Sequence, residues 1–278
     1  MNDILVDGVR LAHHHTPGST GGTVVLLHGT PSHSHIWRNV APALEADGHG
    51  VLVHDLLGYG ASERPVDRDT SVTAQAELLA DLLAQLGIRR CTLVGHDIGG
   101  AVAQLFTTAH PDRVDRLVLI NSVSYDSWPS STWRRIIRDH LDDHAAMSQQ
   151  EFEALLTRQL EMVVADPARM TGGVLEAYLR PHRTPVGRAS FFEHQVRYYD
   201  STPTQRVAPL LRTLPTPTWI IWGAEDRWQP VDHAHRLAAD IPGASLTTIP
   251  GAGHFPMEDD PQRIVEELRA ALARGQAL

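Results

Sequence analysis

The chain is poor in several things, and each shortage excludes something. Among 278 residues there is one cysteine, Cys91, so no disulfide can form within the chain and a reducing, cytoplasmic setting is expected. Basic residues are outnumbered: 24 Lys and Arg against 33 Asp and Glu leave a formal charge of −9, the opposite of the concentrated basic face that nucleic-acid binding requires. No stretch approaches the roughly 18 apolar residues of a membrane span. The N-terminal MNDILVDGVRLAHHH carries acids and no long apolar core, so no secretory leader is expected either. Internal repeats and low-complexity tracts are missing. What is present is ordinary globular composition, 42% hydrophobic and 21% charged, enough to bury one large core and too apolar for a disordered chain. Cys91 itself lies in the apolar run CTLVGH and reads as a small buried hydrophobe.

Six short apolar runs have the length and β-branched content of strands: Thr23 to Leu27, Val51 to His54, Cys91 to Gly95, Arg116 to Ile120, Thr218 to Trp222 and Ser245 to Ile249. Between them, helical spacing appears over 70–86, 99–110 and 261–272, with Gly87 and Pro111 as stop signals. Nearly continuous Val, Leu and Ile in a strand means burial on both faces, and strands alternating with helices make a mostly parallel twisted sheet flanked by helices. The alternation lapses after Ile120 and resumes at Thr218. The expected organisation is an α/β core of residues 1–124 and 214–278, interrupted by a helical lid over residues 125–213.

The most informative stretch is TLVGHDIGGAVAQLF, where a strand runs into Gly95-His96-Asp97-Ile98-Gly99-Gly100 and a helix follows at once. So sharp a turn needs flanking residues with almost no side chain, and it thrusts the apex residue, Asp97, out of the sheet. At a helix N-terminus the amides and the dipole favour an ionised carboxylate. An aspartate that merely capped the helix would not need three glycines around it. Upstream, the strand VVLL leads into His28-Gly29-Thr30-Pro31. Downstream, Asp226 follows the strand TWIIWG and His254 sits in the glycine-rich loop PGAGHF.

Together these motifs resemble the α/β-hydrolase superfamily, in the branch of epoxide hydrolases and haloalkane dehalogenases. The likeness rests on His28 to Ser32 with Ile36-Trp37-Arg38, on Asp55-Leu56-Leu57-Gly58-Tyr59-Gly60-Ala61-Ser62, on the Gly-His-Asp turn and on Gly253-His254-Phe255. It covers residues 20–125 and 215–275, and the lid only loosely. The resemblance implies the α/β-hydrolase fold with nucleophile, acid and base in the order Asp97, Asp226, His254, and an oxyanion hole from the amides of Thr30 and Ile98. Members with serine at the turn are mostly acyl-transfer enzymes, so aspartate there is the discriminating feature.

Attack by a carboxylate on a carbonyl gives an anhydride, whereas attack on an sp³ carbon gives an alkyl ester that water can cleave. The expected substrate is therefore a small apolar electrophile, an epoxide or alternatively an alkyl halide such as a haloalkane or haloacetate, with water as second reactant and no cofactor. His254, oriented by Asp226, is expected to act as base and must be neutral to do so, which predicts loss of activity in acid. Dehalogenases of the resembled branch usually carry Trp after the nucleophile, and here Ile98 offers no donor. Epoxide opening instead needs an acid, which the branch takes from lid tyrosines. Four of the five tyrosines, Tyr125, Tyr178, Tyr198 and Tyr199, fall in the lid segment, and the early-lid Trp128 and Trp133 are donors for a halide. A non-catalytic ligand-binding protein of the same fold stands as a further alternative. A homodimer is left open.

Other features are set aside. His13-His14-His15 and the pair His33, His35 lack carboxylates or cysteines at metal-ligating spacing, and neighbouring strand residues face opposite ways. Arg134 to Arg138 is followed by Asp139, Asp142 and Asp143 and reads as a solvated lid helix rather than a membrane-binding one. Glu258-Asp259-Asp260 reads as acidic residues favouring the start of the last helix.

Overall fold

The computed structural model describes residues 1–19 and 22–273. Its strands are β1 (Asn2–Val6), β2 (Val9–Thr16), β3 (Thr23–Leu27), β4 (Gly50–His54), β5 (Cys91–His96), β6 (Val114–Ile120), β7 (Thr218–Gly223) and β8 (Ser245–Ile249). They form one sheet in the order β1-β2-β4-β3-β5-β6-β7-β8. From β4 to β8 along this order every pairing is parallel. All six apolar runs are strands. The sequence reading missed β1 and β2, an antiparallel hairpin turned at Asp7 and Gly8 with φ of 45° and 77°, which adds to the edge of β4.

Helices α1 (Ala41–Ala46), α2 (Val72–Gln85) and α3 (Ile98–Ala109) precede β6. Between β6 and β7 come α4 (Ser131–Arg135), α5 (Leu141–Ala145), α6 (Gln149–Met162), α7 (Gly172–Leu179), α8 (Pro185–Ser190) and α9 (Thr202–Leu211). The last third adds α10 (Asp232–Asp240), α11 (Pro256–Asp259) and α12 (Pro261–Ala273). No helix among the described residues is long and apolar enough to cross a membrane.

Strand side chains alternate between two cores. Val25, Leu27, Leu93, Leu117 and Leu119 pack with Leu79 and Leu82 of α2 and Val102 and Phe106 of α3. Val24, Leu26, Val94, Val118 and Ile120 pack on the other face with Leu44 of α1 and Ile264 and Leu268 of α12. That second cluster continues into the insertion through Phe152, Leu156, Phe191 and Phe192, so the helices over the strand ends share a core with the sheet. Cys91 is fully buried, and burial pushes its thiol up to about 12.

Within residues 125–213, Tyr125, Trp128 and Leu211 belong to the core shared with α3, and Phe152, Leu156, Phe191 and Phe192 to the core on the other face of the sheet. One reading needs correction: Glu258 and Asp259 do not simply favour the last helix. Glu258 is buried, receives both guanidinium nitrogens of Arg38 at 2.5 and 2.6 Å, and also accepts from Tyr178. Asp259 accepts from the amides of Gly253 and Ala165, at 2.7 and 3.0 Å, and so ties the insertion to the loop carrying His254. Only Asp260 caps α12, through the Arg263 amide at 3.0 Å.

Candidate active site

The register of the sheet assembles the site. Leu27 of β3 is level with Gly95 of β5, so the segments leaving these strands, which carry Thr30 and Asp97, emerge side by side. Asp226 follows β7 and His254 follows β8, at the same carboxyl edge where parallel sheets place their ligands.

Asp97 stands at the strand-to-helix turn with φ 52° and ψ −121°, a backbone conformation strained for any residue with a Cβ. It is held there because its carbonyl accepts from the amides of Gly100 at 3.0 Å and Val123 at 3.2 Å. Two close approaches explain the glycines. A Cβ on Gly99 would lie 2.4 Å from the carbonyl oxygen of His28, and one on Gly29 would lie 2.3 Å from Cβ of Asp97.

Around the carboxylate the sequence-derived residues come together. The Thr30 amide donates to Asp97 Oδ1 at 2.7 Å. Asp97 Oδ2 lies 3.4 Å from Nε2 of His254, without the angle of a hydrogen bond, so that nitrogen faces the carboxylate with no formal partner. The other nitrogen, Nδ1, is 2.8 Å from Asp226 Oδ2. Ile98 lines the same cavity at the first turn of α3. Burial alone pulls the His254 imidazole down, but Asp226 and Asp97 outweigh it and hold the ring up, to about 10. For Asp226, burial raises the carboxyl, while His254, Asn121 and the Gln229 amide bring it below the ordinary carboxylate range.

Three contributors escaped the sequence reading. Asn121, just past β6 with φ 43°, donates from Nδ2 to Asp226 Oδ2 at 2.6 Å and accepts the Gly223 amide at 3.1 Å. An asparagine closing a strand is a turn signal that tolerates left-handed backbone, the one clue available. Trp228 donates its amide to Asp226 Oδ1 at 2.8 Å, and its ring lies 5.2 Å from that of His254. His96, beside the nucleophile candidate, bonds through Nε2 to the His254 carbonyl at 2.8 Å, and burial drops its pKa to about 3, so it is a neutral donor there.

Above Asp97 is a cavity of about 330 Å³, walled mainly by Trp128, Pro129, Trp133, Met162, Phe191 and Trp228, with Gln159 and Arg227 adding polar atoms. Of the four lid tyrosines only Tyr199 reaches it, with its hydroxyl against Thr30 Oγ1. The expectation fails for Tyr125, whose hydroxyl donates to Asp240 at 3.0 Å under the Arg236 guanidinium, and for Tyr178, which is spent on buried Glu258. Tyr198 lies outside the lining as well. Trp128 does line the cavity, but its indole N–H is donated to Thr204 Oγ1 at 3.1 Å, so it is not free for a leaving group. Among the described residues no group of three or more His, Cys, Asp or Glu side chains is arranged to hold a metal ion.

Residues 22–261 match the family model of the alpha/beta hydrolase fold, and the chain belongs to that family. An uncharacterized protein of Mycobacterium tuberculosis (strain H37Rv) is 32% identical over 264 residues, spanning 89% of this chain and 74% of that protein. A 2-hydroxy-6-oxononadienedioate/2-hydroxy-6-oxononatrienedioate hydrolase of Klebsiella pneumoniae is 29% identical over 249 residues, 87% of this chain and 84% of its own. Among solved structures, an alpha/beta hydrolase fold protein from Burkholderia ambifaria superposes with a TM-score of 0.89 at 32% identity, covering 96% of each chain. An epoxide hydrolase and a putative ancestral haloalkane dehalogenase share the fold at 23% and 21% identity, with TM-scores of 0.80 and 0.78. The protein is an α/β-hydrolase.

Proposed function

We propose that this α/β-hydrolase opens small apolar epoxides through a covalent ester on Asp97. The observation that carries the reading is the pair of fates of one carboxylate: Oδ1 held by the Thr30 amide at 2.7 Å, and Oδ2 facing His254 Nε2 at 3.4 Å without a hydrogen bond, at the floor of an aromatic cavity with the Tyr199 hydroxyl nearby. Oδ2 attacks a ring carbon, the C–O bond breaks, and the ring oxygen takes the phenolic proton. In the second half-reaction His254 removes a proton from water, which attacks Cγ of the ester; the Cγ–Oδ2 bond then breaks, and Oδ2 leaves on the product as a hydroxyl that takes the proton back from His254. The oxyanion that forms on Oδ1 is already at the Thr30 amide, with the Ile98 amide as second donor.

The electrostatics of the triad fit such a cycle. In the resting state Asp97 helps to keep the imidazole charged, which also balances the nucleophile's own charge. Once Asp97 is an ester that charge is gone and the imidazole pKa falls, so His254 releases its proton to solvent and becomes a base when a base is needed; when hydrolysis regenerates the Asp97 carboxylate, the imidazole takes a proton back from solvent. The requirement that His254 be neutral to act as base is then met after alkylation. Acid should then arrest ester hydrolysis in particular.

The hydrolase of the Klebsiella relative acts, by its name, on an oxo diacid. A carboxylate attacking such a carbonyl would yield an anhydride, so that activity does not transfer readily to a chain with Asp97 at the turn. A haloalkane remains the second reading, favoured by the indole of Trp133 in the cavity wall. Incubating His254→Gln with a panel of epoxides and alkyl halides, then locating adducts by peptide mass spectrometry, tests both readings and the ligand-binding alternative. Mass added at Asp97 by an epoxide is the expected result. Adducts from halides alone would move the assignment to a dehalogenase, and reversible binding with no adduct would remove catalysis through Asp97.

A further inference from the structure

Thr30 meets both halves of the site at once, its amide on Asp97 and its hydroxyl on Tyr199. The hydroxyl has a second partner, Oε1 of Gln195 at 3.5 Å. The orientation of that amide follows from its neighbours, because Gln195 Nε2 donates to the Gly58 carbonyl at 3.3 Å and leaves Oε1, an acceptor only, facing Thr30. Two arrangements of protons are therefore open to the trio. In one, Tyr199 donates to Thr30 and Thr30 to Gln195. In the other, Thr30 turns its proton onto the phenol oxygen and the phenolic proton is released toward the cavity. Thr30, Tyr199 and Gln195 are all drawn from outside the Asp-His-Asp set, and burial with Asp97 nearby raises the phenol's pKa while the Thr30 hydroxyl works against that rise.

We propose that the Thr30 side chain is a positioning residue for ring opening, a hydroxyl that switches from Gln195 to Tyr199 and supports the phenolate left behind. The inference rests on the epoxide reading above. As the Asp97 Oδ2–carbon bond forms, the ring C–O bond breaks and its electron pair stays on oxygen, which takes the proton of Tyr199. Negative charge passes to the phenol oxygen, and the Thr30 O–H, giving up its long contact with Gln195, donates to it. Hydrolysis of the ester leaves a carboxylic acid on Asp97, whose proton returns to the phenolate and restores both groups. Charge-assisted hydrogen bonds of this kind are stronger than the neutral contact they replace.

The test is Thr30→Val, which removes the hydroxyl and keeps the backbone amide, measured beside Thr30→Ser. Single-turnover kinetics with an epoxide that alkylates Asp97 in the parent should show ester formation slowed tenfold or more and ester breakdown within twofold of the parent. In the steady state kcat/KM should then fall further than kcat, and Thr30→Ser should recover most of the loss. Loss of ester hydrolysis in equal measure, or failure of serine to rescue, would mean that Thr30 acts only by shaping the oxyanion hole, and would overturn the proposal while leaving the ester mechanism intact. Absence of any Asp97 ester in the parent and in His254→Gln would overturn both.

Discussion

The two walls of the cavity are held by different physics. On the sheet side Asp97, Asp226, His254 and Thr30 all leave the carboxyl ends of parallel strands, and each is fixed by backbone amides or by a neighbour's side chain: Asp226 alone accepts from Asn121, Trp228 and Gln229. On the insertion side the lining is aromatic, and Trp128, Trp133 and Tyr199 meet edge to face at centroid distances of 6.1 and 6.4 Å. A hydrogen-bonded strand end fixes a functional group to tenths of an ångström, while a packed aromatic wall fixes shape and tolerates replacement by another apolar group of similar volume. Nucleophile and base are therefore expected to reside on the first wall, and substrate choice, with one phenolic acid, on the second.

That division is most sharply tested by Asp97→Ala, for which turnover of any substrate should fall by roughly 10⁴-fold or more with the fold intact, as measured by initial rates beside circular dichroism. Next in size, Asp226→Asn leaves the site's shape but deprives the imidazole of its orienting carboxylate. Ester hydrolysis should slow by about 10³-fold to 10⁴-fold, so that the Asp97 ester accumulates and is seen by intact mass.

The insertion wall should respond more mildly. Tyr199→Phe should slow epoxide-driven alkylation by about 10²-fold, the ordinary worth of one general acid, with ester breakdown unchanged. Tyr178→Phe should leave rates within a factor of two and instead lower stability by about 1 kcal/mol, read from denaturant unfolding, because it removes a partner of buried Glu258. Equal rate losses in the two variants would erase the distinction between a tyrosine that reaches the cavity and one that only braces the insertion.

A last expected effect concerns pH and stability rather than rate. The folded-state pKa of His254 is raised from 6.5 to about 10, so its stabilising contribution is complete below 6.5 and is lost as pH rises through 10. For Asp226 the shift is downward, so its contribution is lost as pH falls through its folded value. The melting temperature should thus decline between pH 8 and 10 in the parent by more than in His254→Gln, a difference that calorimetry across that range would resolve.

Much of the sheet-side wall was legible in the linear chain because its determinants are local. A β-branched run bounded by glycine makes a buried strand, and glycines around Asp97 make a turn that exposes it. The hairpin β1–β2 was harder, since NDILVDGVRLAHHHT alternates polar with apolar residues at a solvent-facing edge, although Asp7-Gly8 is a recognised hairpin signal. Asn121 was not legible because it meets Asp226 from 105 residues away, and Trp228, two residues on, acts through an amide that any residue possesses.

The tyrosines mark the limit most clearly. Tyr198 and Tyr199 are neighbours in the chain, yet only one enters the cavity, and Tyr178 lies in the same segment with its hydroxyl buried on Glu258. The direction of each ring is set by the turns that bend the helices of the insertion and by partners far along the chain, 80 residues away for Tyr178 and Glu258 and 169 for Tyr199 and Thr30. The chain by itself determined the parallel sheet, the strained turn at Asp97 and the order in which nucleophile, acid and base candidates follow it, because backbone geometry and glycine placement are short-range. Only the tertiary structure decided which phenol enters the cavity above the carboxylate, that Thr30 touches both, and that Asp226 and Asp97 together hold the imidazole pKa up, because contact and desolvation depend on groups brought together from distant parts of the chain.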